Sequence, residues 1–369
     1  MPMPPLPVGM PTALDLFCGV GGLSLGLQQA GFQLVGGADF DELTLETHKT
    51  NFPDVLTHHC DLFEESGKAI RTGLGLQKQT IDLLAGGPPC QGFSTGGVRA
   101  KADPRNRGIM AFARIVSEIR PRYFLMENVR GFLFVDHDEL REQFTSFLRD
   151  AGYHVLDFRQ LNAADYGVPQ RRERAFVMGC LKGEALPDYP LRQRGRKPTV
   201  QSAITDLAAL DDHATDIDTD EYAGRLGKAS SYARRLRRSR DGGRLRSLTG
   251  CMRSLHSPDV VKRFANTKPG GQEPVSRFFR LDWKGVSPTI RAGTGPEHGS
   301  HTAPRPIHPA LPRCITVREA ARLHSFPDWF VFRGTRWHGF RQIGNSVPPL
   351  LAKAVAQAVL KAINARRKK

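Results

Sequence analysis

The chain is poor in cysteine, with 6 in 369 residues. They are Cys18, Cys60, Cys90, Cys180, Cys251 and Cys314, and no two form a C-x-x-C pair. That scatter argues against a disulfide framework and against a zinc site, so no metal is expected. No apolar run approaches the roughly 18 residues that span a membrane. The start, Met1-Pro2-Met3-Pro4-Pro5, has neither the basic segment nor the apolar core of a secretory signal. A reducing, cytoplasmic compartment is expected, with no membrane partner. Acid is also short: 37 Asp and Glu against 53 Lys and Arg leave a formal charge of +16. Such a balance favours a polyanion, most simply nucleic acid, without choosing between DNA and RNA.

At this length the chain can hold a large core, and two domains are the natural expectation. Thr12 to Phe17 reads as a first strand running into Cys18-Gly19-Val20-Gly21-Gly22. A helix over Leu23–Ala30 follows, closed by Gly31. Strand, glycine turn and helix together suit a nucleotide cofactor, because glycine lets backbone approach a ligand closely. The glycines do not spell G-x-G-x-x-G. A second strand, Gln33 to Ala38, ends at Asp39. A carboxylate about 20 residues past the glycine turn can take both hydroxyls of a ribose. A solvated aspartate at a strand end explains the spacing equally well. Cys60-Asp61-Leu62 is a third acidic strand end, within reach of an adenine amino group.

A buried strand over Ile81–Ala85 is then stopped by Gly86-Gly87-Pro88-Pro89, and Cys90 comes next. A thiol held rigidly at the carboxyl end of a strand has the placement of a nucleophile. Most free cysteines are instead small buried hydrophobes. Thr95 to Arg107 has no apolar periodicity and carries Arg99, Lys101, Arg105 and Arg107. It reads as a cationic lid that closes over a phosphate backbone. Helical spacing resumes at Ile109. Tyr123–Met126 is another buried strand and ends in Glu127-Asn128-Val129. Burial there would raise the Glu127 pKa and let it carry a proton near neutral pH. Strands are also expected over Tyr153–Phe158 and Ala175–Met178, with Gln170-Arg171-Arg172-Glu173-Arg174 between them.

In this order the motifs resemble those of the C5-cytosine DNA methyltransferases, the bacterial type used in restriction–modification. The matching stretches are Asp15 to Gly22, Gly87 to Ser94, Glu127-Asn128-Val129 and Gln170 to Arg174. Arg318 to Leu323 with Phe326-Pro327, and Gly344 to Pro349, complete the set. Residues 12–180 and 314–362 carry the likeness; 181–313 carry little of it. The resemblance implies a Rossmann-like, doubly wound α/β fold with a mostly parallel sheet. A smaller, mainly β or irregular target-recognition domain would occupy 181–313, between catalytic segments 1–180 and 314–369.

The resemblance also implies roles. Cys90 would add to C6 of a flipped-out cytosine, with Glu127, Arg172 and Arg174 as its catalytic partners. S-adenosyl-L-methionine would lie across Phe17, Gly19, Gly21, Gly22, Asp39, Phe40, Asp61, Leu62, Pro89, Asn345 and Val347. Duplex DNA would meet Gln91, Ser94 and Arg107. The partner would be DNA in a monomeric enzyme, with a cognate restriction endonuclease acting on the same site. A tRNA cytosine methyltransferase shares the catalytic motifs. A DNA-binding protein with a dead methyltransferase core and a nicotinamide oxidoreductase are more distant alternatives.

The middle changes composition. Asp206 to Glu221 is rich in aspartate and reads as a solvated loop. Beyond it, Arg234, Arg235, Arg237 and Arg238 crowd together as a patch for DNA backbone. Gly270 to Gly295 has β-and-turn chemistry, and Arg277, Arg280 and Arg291 are candidates to read guanine edges. Thr316 and Glu319 form a capping box for the helix that follows. Val347, Leu350, Leu351, Ala354, Val355, Ala358 and Val359 line one face of the last helix, expected beside the first strand.

Overall fold

A computed structural model describes residues 9–89, 107–208, 220–243, 245–293 and 305–366. It divides into two compact units. The first comprises Met1–Asn162, Glu173–Arg192 and Pro349–Lys369; the second comprises Ala163–Arg172 and Gln193–Pro348. The boundaries that the resemblance implies, 181 and 314, therefore differ from those of the compact units. The reason is visible after residue 314, where Arg318 bonds the Thr249 carbonyl and Arg322 bonds that of Ala203, both inside the second unit.

The first unit is built on β1 (Thr12–Leu16), β2 (Gln33–Asp39), β3 (Leu56–His59), β4 (Leu83–Gly86), β5 (Tyr123–Val129), β6 (Tyr153–Val155), β7 (Arg159–Asn162) and β8 (Glu173–Leu181). Their order is β3-β2-β1-β4-β5-β8-β6, with β7 also on β8. β1 to β5 pair in parallel, whereas β8 runs antiparallel to β5, β6 and β7. β1 and β4 are buried along their whole length, which is why they read as continuous apolar runs rather than alternating ones. The strand expected over Tyr153–Phe158 is shorter, ending at Val155 as β6, and β7 over Arg159–Asn162 is not among the expected strands.

Helices α1 (Gly22–Ala30), α2 (Glu42–Asn51), α3 (Gly67–Gly73), α4 (Arg107–Ile119) and α5 (Asp138–Asp150) accompany the sheet. α2 and α3 start on side-chain caps, Asp41 accepting from the Thr44 N–H and Ser66 from the Ala69 N–H. The C-terminal helix, Pro349–Arg366, packs on α1 rather than directly beside β1. A Cβ added at Gly26 would lie 2.3 Å from the Ala352 methyl, so this close approach requires glycine.

The strand order reverses between β1 and β4: β2 and β3 continue on one side, β5 on the other. In an open α/β sheet, ligands bind outside the carboxyl ends of the strands at such a point. Here those ends lead into Phe17–Gly22 and Gly87–Pro89.

The second unit contains α6 (Val200–Ile204), α7 (Ser231–Leu236), α8 (Pro258–Asn266), α9 (Val317–Leu323) and α10 (Arg336–Asn345) among its described residues. A short ladder pairs β9 (Glu221–Tyr222) with β10 (Leu248–Thr249). The expected β-and-turn stretch forms isolated bridges, Gln272 with Phe279 and Arg280 with Ile307. The capping box of α9 is present: Thr316 Oγ1 accepts from the Glu319 N–H (3.1 Å), and Glu319 Oε2 accepts from the Thr316 N–H (2.7 Å).

The acidic stretch is not simply a solvated loop. Asp206 is buried and takes Arg322 Nη1 at 2.8 Å, and Asp328 takes Arg322 Nη2 at 2.7 Å. Residues 209–219 of that stretch lie outside the described residues.

Candidate active site

The turn after β1 is held in a conformation that only some residues allow. Phe17, Gly19 and Gly21 have φ of 53°, 51° and 97°. At Gly21 a Cβ would come within 2.3 Å of the Phe52 ring. The Cys18 N–H donates to the Ala38 carbonyl (3.1 Å), tying the turn to β2. Beneath it, Ser24 Oγ donates to Asp15 Oδ2 (2.5 Å) and lies 3.0 Å from His48 Nε2. Burial pushes the Asp15 pKa up to about 7 and that of His48 down to about 3.

Asp39 stands at the end of β2 with both carboxylate oxygens engaged by backbone. Oδ2 accepts from the Gly19 N–H (2.8 Å) and Oδ1 from the Asp41 N–H (3.0 Å). Burial raises its pKa, opposed by those two N–H groups. Phe40 next to it is 72% exposed, an aromatic ring left in solvent beside a half-buried carboxylate. Past the end of β3, Asp61 is exposed and Leu62 is buried.

These features fit a nucleoside-bearing cofactor. Among the described residues nothing lies within 4 Å of where a Gly19 Cβ would be. An exposed ring and an exposed carboxylate stand at neighbouring strand ends, and the buried Asp15 Oδ1 has no partner among the described residues.

The second strand-end group is paired. Glu127, on β5, is only 7% exposed. Arg174, on β8, places its Nε 2.9 Å from Glu127 Oε1. The antiparallel register explains the meeting: Glu127 is opposite Phe176, so Arg174 is its diagonal neighbour on the same face. Burial lowers the Arg174 pKa and the Glu127 charge opposes that. Glu127 Oε2 faces the next turn, lying 3.3 Å from where a Gly87 Cβ would be.

Asn128 Nδ2 donates to the Pro88 carbonyl (3.2 Å), fixing that turn to β5. Pro89 is exposed, and Cys90 follows it directly; Cys90, Gln91, Ser94 and the lid stretch 95–106 lie outside the described residues. The Asn128 bond is a positioning contact that sequence reasoning missed, although Asn128 sits inside the Glu-Asn-Val motif.

Arg172 departs from the expectation that it stands beside the thiol with Arg174. It belongs to the second unit and is fully buried there. Its guanidinium donates to the carbonyls of Ile290 (3.1 Å), Gly344 (2.6 Å) and Ser346 (2.9 Å). Gln170 works on the same residues: its Oε1 accepts from the Ile290 N–H and its Nε2 lies 3.1 Å from His324 Nδ1. His324 Nε2 is in turn 3.0 Å from the Ser346 carbonyl. This buried network holds the Gly344–Val347 turn, where Asn345 is exposed and Val347 buried.

The DNA-facing candidates divide. Arg234, Arg235, Arg238, Arg277 and Arg291 are exposed. Arg235 lies over the Tyr232 ring at 5.8 Å, and Arg291 follows the doubly anchored Ile290. Arg107 is exposed but pairs with Glu64 and lies 6.0 Å from the Phe63 ring centre. Arg237 is committed inward, to Asp206 through Nε (2.7 Å) and to the Gly227 carbonyl (2.8 Å). Arg280 corrects its assignment as a base reader. It is 7% exposed and donates to the carbonyls of Phe264, Ala265, Thr267 and Ala310, so it closes α8 instead.

The family model for C-5 cytosine-specific DNA methylases matches residues 12–361. The chain is 46% identical to the type II methyltransferase M.XorII of Xanthomonas oryzae pv. oryzae, covering 97% of this chain and 87% of that protein. It is 30% identical to the type II methyltransferase M.AgeI of Thalassovita gelatinovora, over 95% and 99% of the two chains. A crystal structure described as a prophage-encoded DNA modification methyltransferase from Escherichia coli superposes with a TM-score of 0.82 at 34% identity. It covers 96% of this chain and 99% of its own. An Entamoeba histolytica methyltransferase shares the fold at 15% identity and a TM-score of 0.63.

Proposed function

The chain belongs to the C-5 cytosine-specific DNA methylases, and from that premise we propose how its own residues carry out the reaction. The enzyme is a DNA (cytosine-5-)-methyltransferase built on a doubly wound, mostly parallel sheet. Cytosine C5 is too weak a nucleophile to react unaided, and inside a duplex it is out of reach, so the base is flipped out. The Cys90 thiolate adds to C6, forming an S–C6 bond and driving the ring π electrons toward N3 and C5. Glu127 gives a proton to N3 as that charge develops. Arg174 holds Glu127 by Oε1 and meets the base carbonyl. When bound, S-adenosyl-L-methionine supplies an electrophilic methyl group. After C5 is methylated, a base removes the C5 proton, the C5–C6 double bond reforms, and Cys90 leaves as thiolate. N3 returns its proton to Glu127.

The observation that carries this reading is the buried Glu127–Arg174 pair at 2.9 Å, one strand over from the Pro88-Pro89 turn that leads into Cys90. For the cofactor, Asp39 would take the ribose hydroxyls, Phe40 would stack on adenine, and Asp61 would meet its amino group. Phe17, Gly19, Gly21, Gly22, Leu62, Pro89, Asn345 and Val347 would complete the site. Arg172 is a positioning residue for the Asn345–Val347 turn.

The type II naming of the relatives supports protection of host DNA in restriction–modification, with a cognate endonuclease reading the same sequence. The enzyme would then work as a monomer in the bacterial cytoplasm. Labelled methyl incorporation into duplex DNA, followed by bisulfite sequencing, tests the activity and gives the site. Incorporation into tRNA and not into DNA would replace this reading with a tRNA methyltransferase.

A further inference from the structure

We propose that His58, Cys60 and Glu65 form a transition-metal site, most suited to Zn²⁺, on the turn after β3. Their ligating atoms all lie within 4.8 Å of one another. No C-x-x-C spacing announces the site; the signal is His-x-Cys at a strand end. Residues two apart along a strand share a face. The following turn then brings Glu65 back to them, the Asp61 carbonyl accepting from the N–H groups of Glu64 (3.1 Å) and Glu65 (2.9 Å).

Two details point to a cation rather than to a hydrogen-bonded cluster. His58 Nε2 is 4.0 Å from Glu65 Oε1, too far for a hydrogen bond. That same nitrogen is buried and has no hydrogen-bond partner among the described residues. The imidazole is also fixed in place: a Cβ at Gly73 would fall 2.5 Å from His58 Cε1, so the ring lies flat on that glycine. Ligand atoms around tetrahedral zinc are about 3.3–3.6 Å apart for bonds of about 2.0–2.2 Å.

The donor set selects the ion. One sulfur, one imidazole nitrogen and one carboxylate suit Zn²⁺ or Co²⁺, whereas Mg²⁺ and Ca²⁺ take oxygen ligands. On binding, Cys60 loses its proton to solvent, and thiolate plus carboxylate balance the double positive charge around a neutral His58. Water completes the fourth position. The ion would pin the turn that begins at Asp61. None of the three ligands takes part in the proposed methyl transfer, although the turn they would pin carries Asp61 and Leu62 of the proposed cofactor site.

Chelator-stripped full-length protein titrated with Co²⁺ alone is the test. Wild type is expected to bind one ion per chain and to show a thiolate-to-cobalt charge-transfer band. Cys60→Ser should abolish the band while His58→Gln and Glu65→Gln weaken Co²⁺ binding by about tenfold or more. Circular dichroism of each variant separates ligand loss from misfolding, and the Glu65→Gln change keeps the test available if Cys60→Ser does not fold. No thiolate band in wild type, or a band that survives in Cys60→Ser, overturns the proposal.

Discussion

Arg174 and Glu127 reach each other across the β5–β8 ladder, Nε to Oε1 at 2.9 Å, with both side chains almost excluded from solvent. Breaking a buried pair by removing one partner costs about 3–5 kcal/mol, because the other charge is left unpaired. Glu127→Gln is nearly isosteric and removes the proton that N3 needs. Its single-turnover methylation rate should fall by about 10²–10⁴-fold, with DNA affinity changed far less. An unchanged single-turnover rate would remove Glu127 from the acid role.

Arg172 should behave differently, because its guanidinium is spent on the carbonyls of Ile290, Gly344 and Ser346. Arg172→Met keeps the bulk and leaves buried carbonyls without a donor, at a cost of about 1–3 kcal/mol each. The expected signature is a lower unfolding temperature and weaker S-adenosyl-L-methionine binding. A variant of normal stability with lost chemistry alone would place Arg172 at the base instead.

Salt dependence separates the arginines that face solvent from those that face inward. Each phosphate contact contributes about 0.9 to the slope of log K against log salt. Arg234→Ala and Arg238→Ala should each reduce that slope by about 1 and weaken binding uniformly across sequences. Arg280→Ala should leave the slope unchanged and lower thermal stability, since it removes the donor to four backbone carbonyls around α8. Equal slopes for Arg234→Ala and wild type would exclude that residue from the DNA contact.

Acid should loosen the second unit through Glu319. Burial by itself would raise its pKa, but the Arg313 guanidinium, His308 and the Thr316 N–H bring it down to about 2 from an ordinary 4.5. A folded-state pKa below the unfolded one gives stability that is full above about 4.5 and is lost as pH falls toward 2. Arg313→Met should move the acid-unfolding midpoint to higher pH, read by thermal melts across that window. An unmoved midpoint would show that the pair does not govern acid stability.

The parallel half of the sheet is readable because its strands are buried on both faces. Thr12–Leu16 and Leu83–Gly86 announce themselves as apolar runs stopped by glycine or proline. The short edge elements are harder. The strand expected over Tyr153–Phe158 runs past the end of β6 at Val155, because nothing in the stretch marks the stop, and β7 over Arg159–Asn162 is not among the expected strands. Asp39, Glu127 and Arg174 are found at strand ends where motif spacing puts them.

Arg172 and Arg280 show the limit of such reading. An arginine bonded to buried carbonyls and one aimed at a phosphate have the same one-letter signature, and only tertiary packing tells them apart. Asp206 is the acidic counterpart. Its charge belongs compositionally to a solvated run, yet Arg322, more than a hundred residues later, buries it.

The central claim is that Cys90 attacks C6 of a flipped cytosine beside Glu127 and Arg174. Incubation with S-adenosyl-L-methionine and duplex DNA carrying 5-fluorocytosine at the methylated site tests it most directly, since fluorine cannot leave C5 as a proton does. Wild type should give a denaturation-resistant protein–DNA adduct whose peptide maps to Cys90, and Cys90→Ser should give none. An adduct on another residue, or full methylation by Cys90→Ser, would contradict the mechanism.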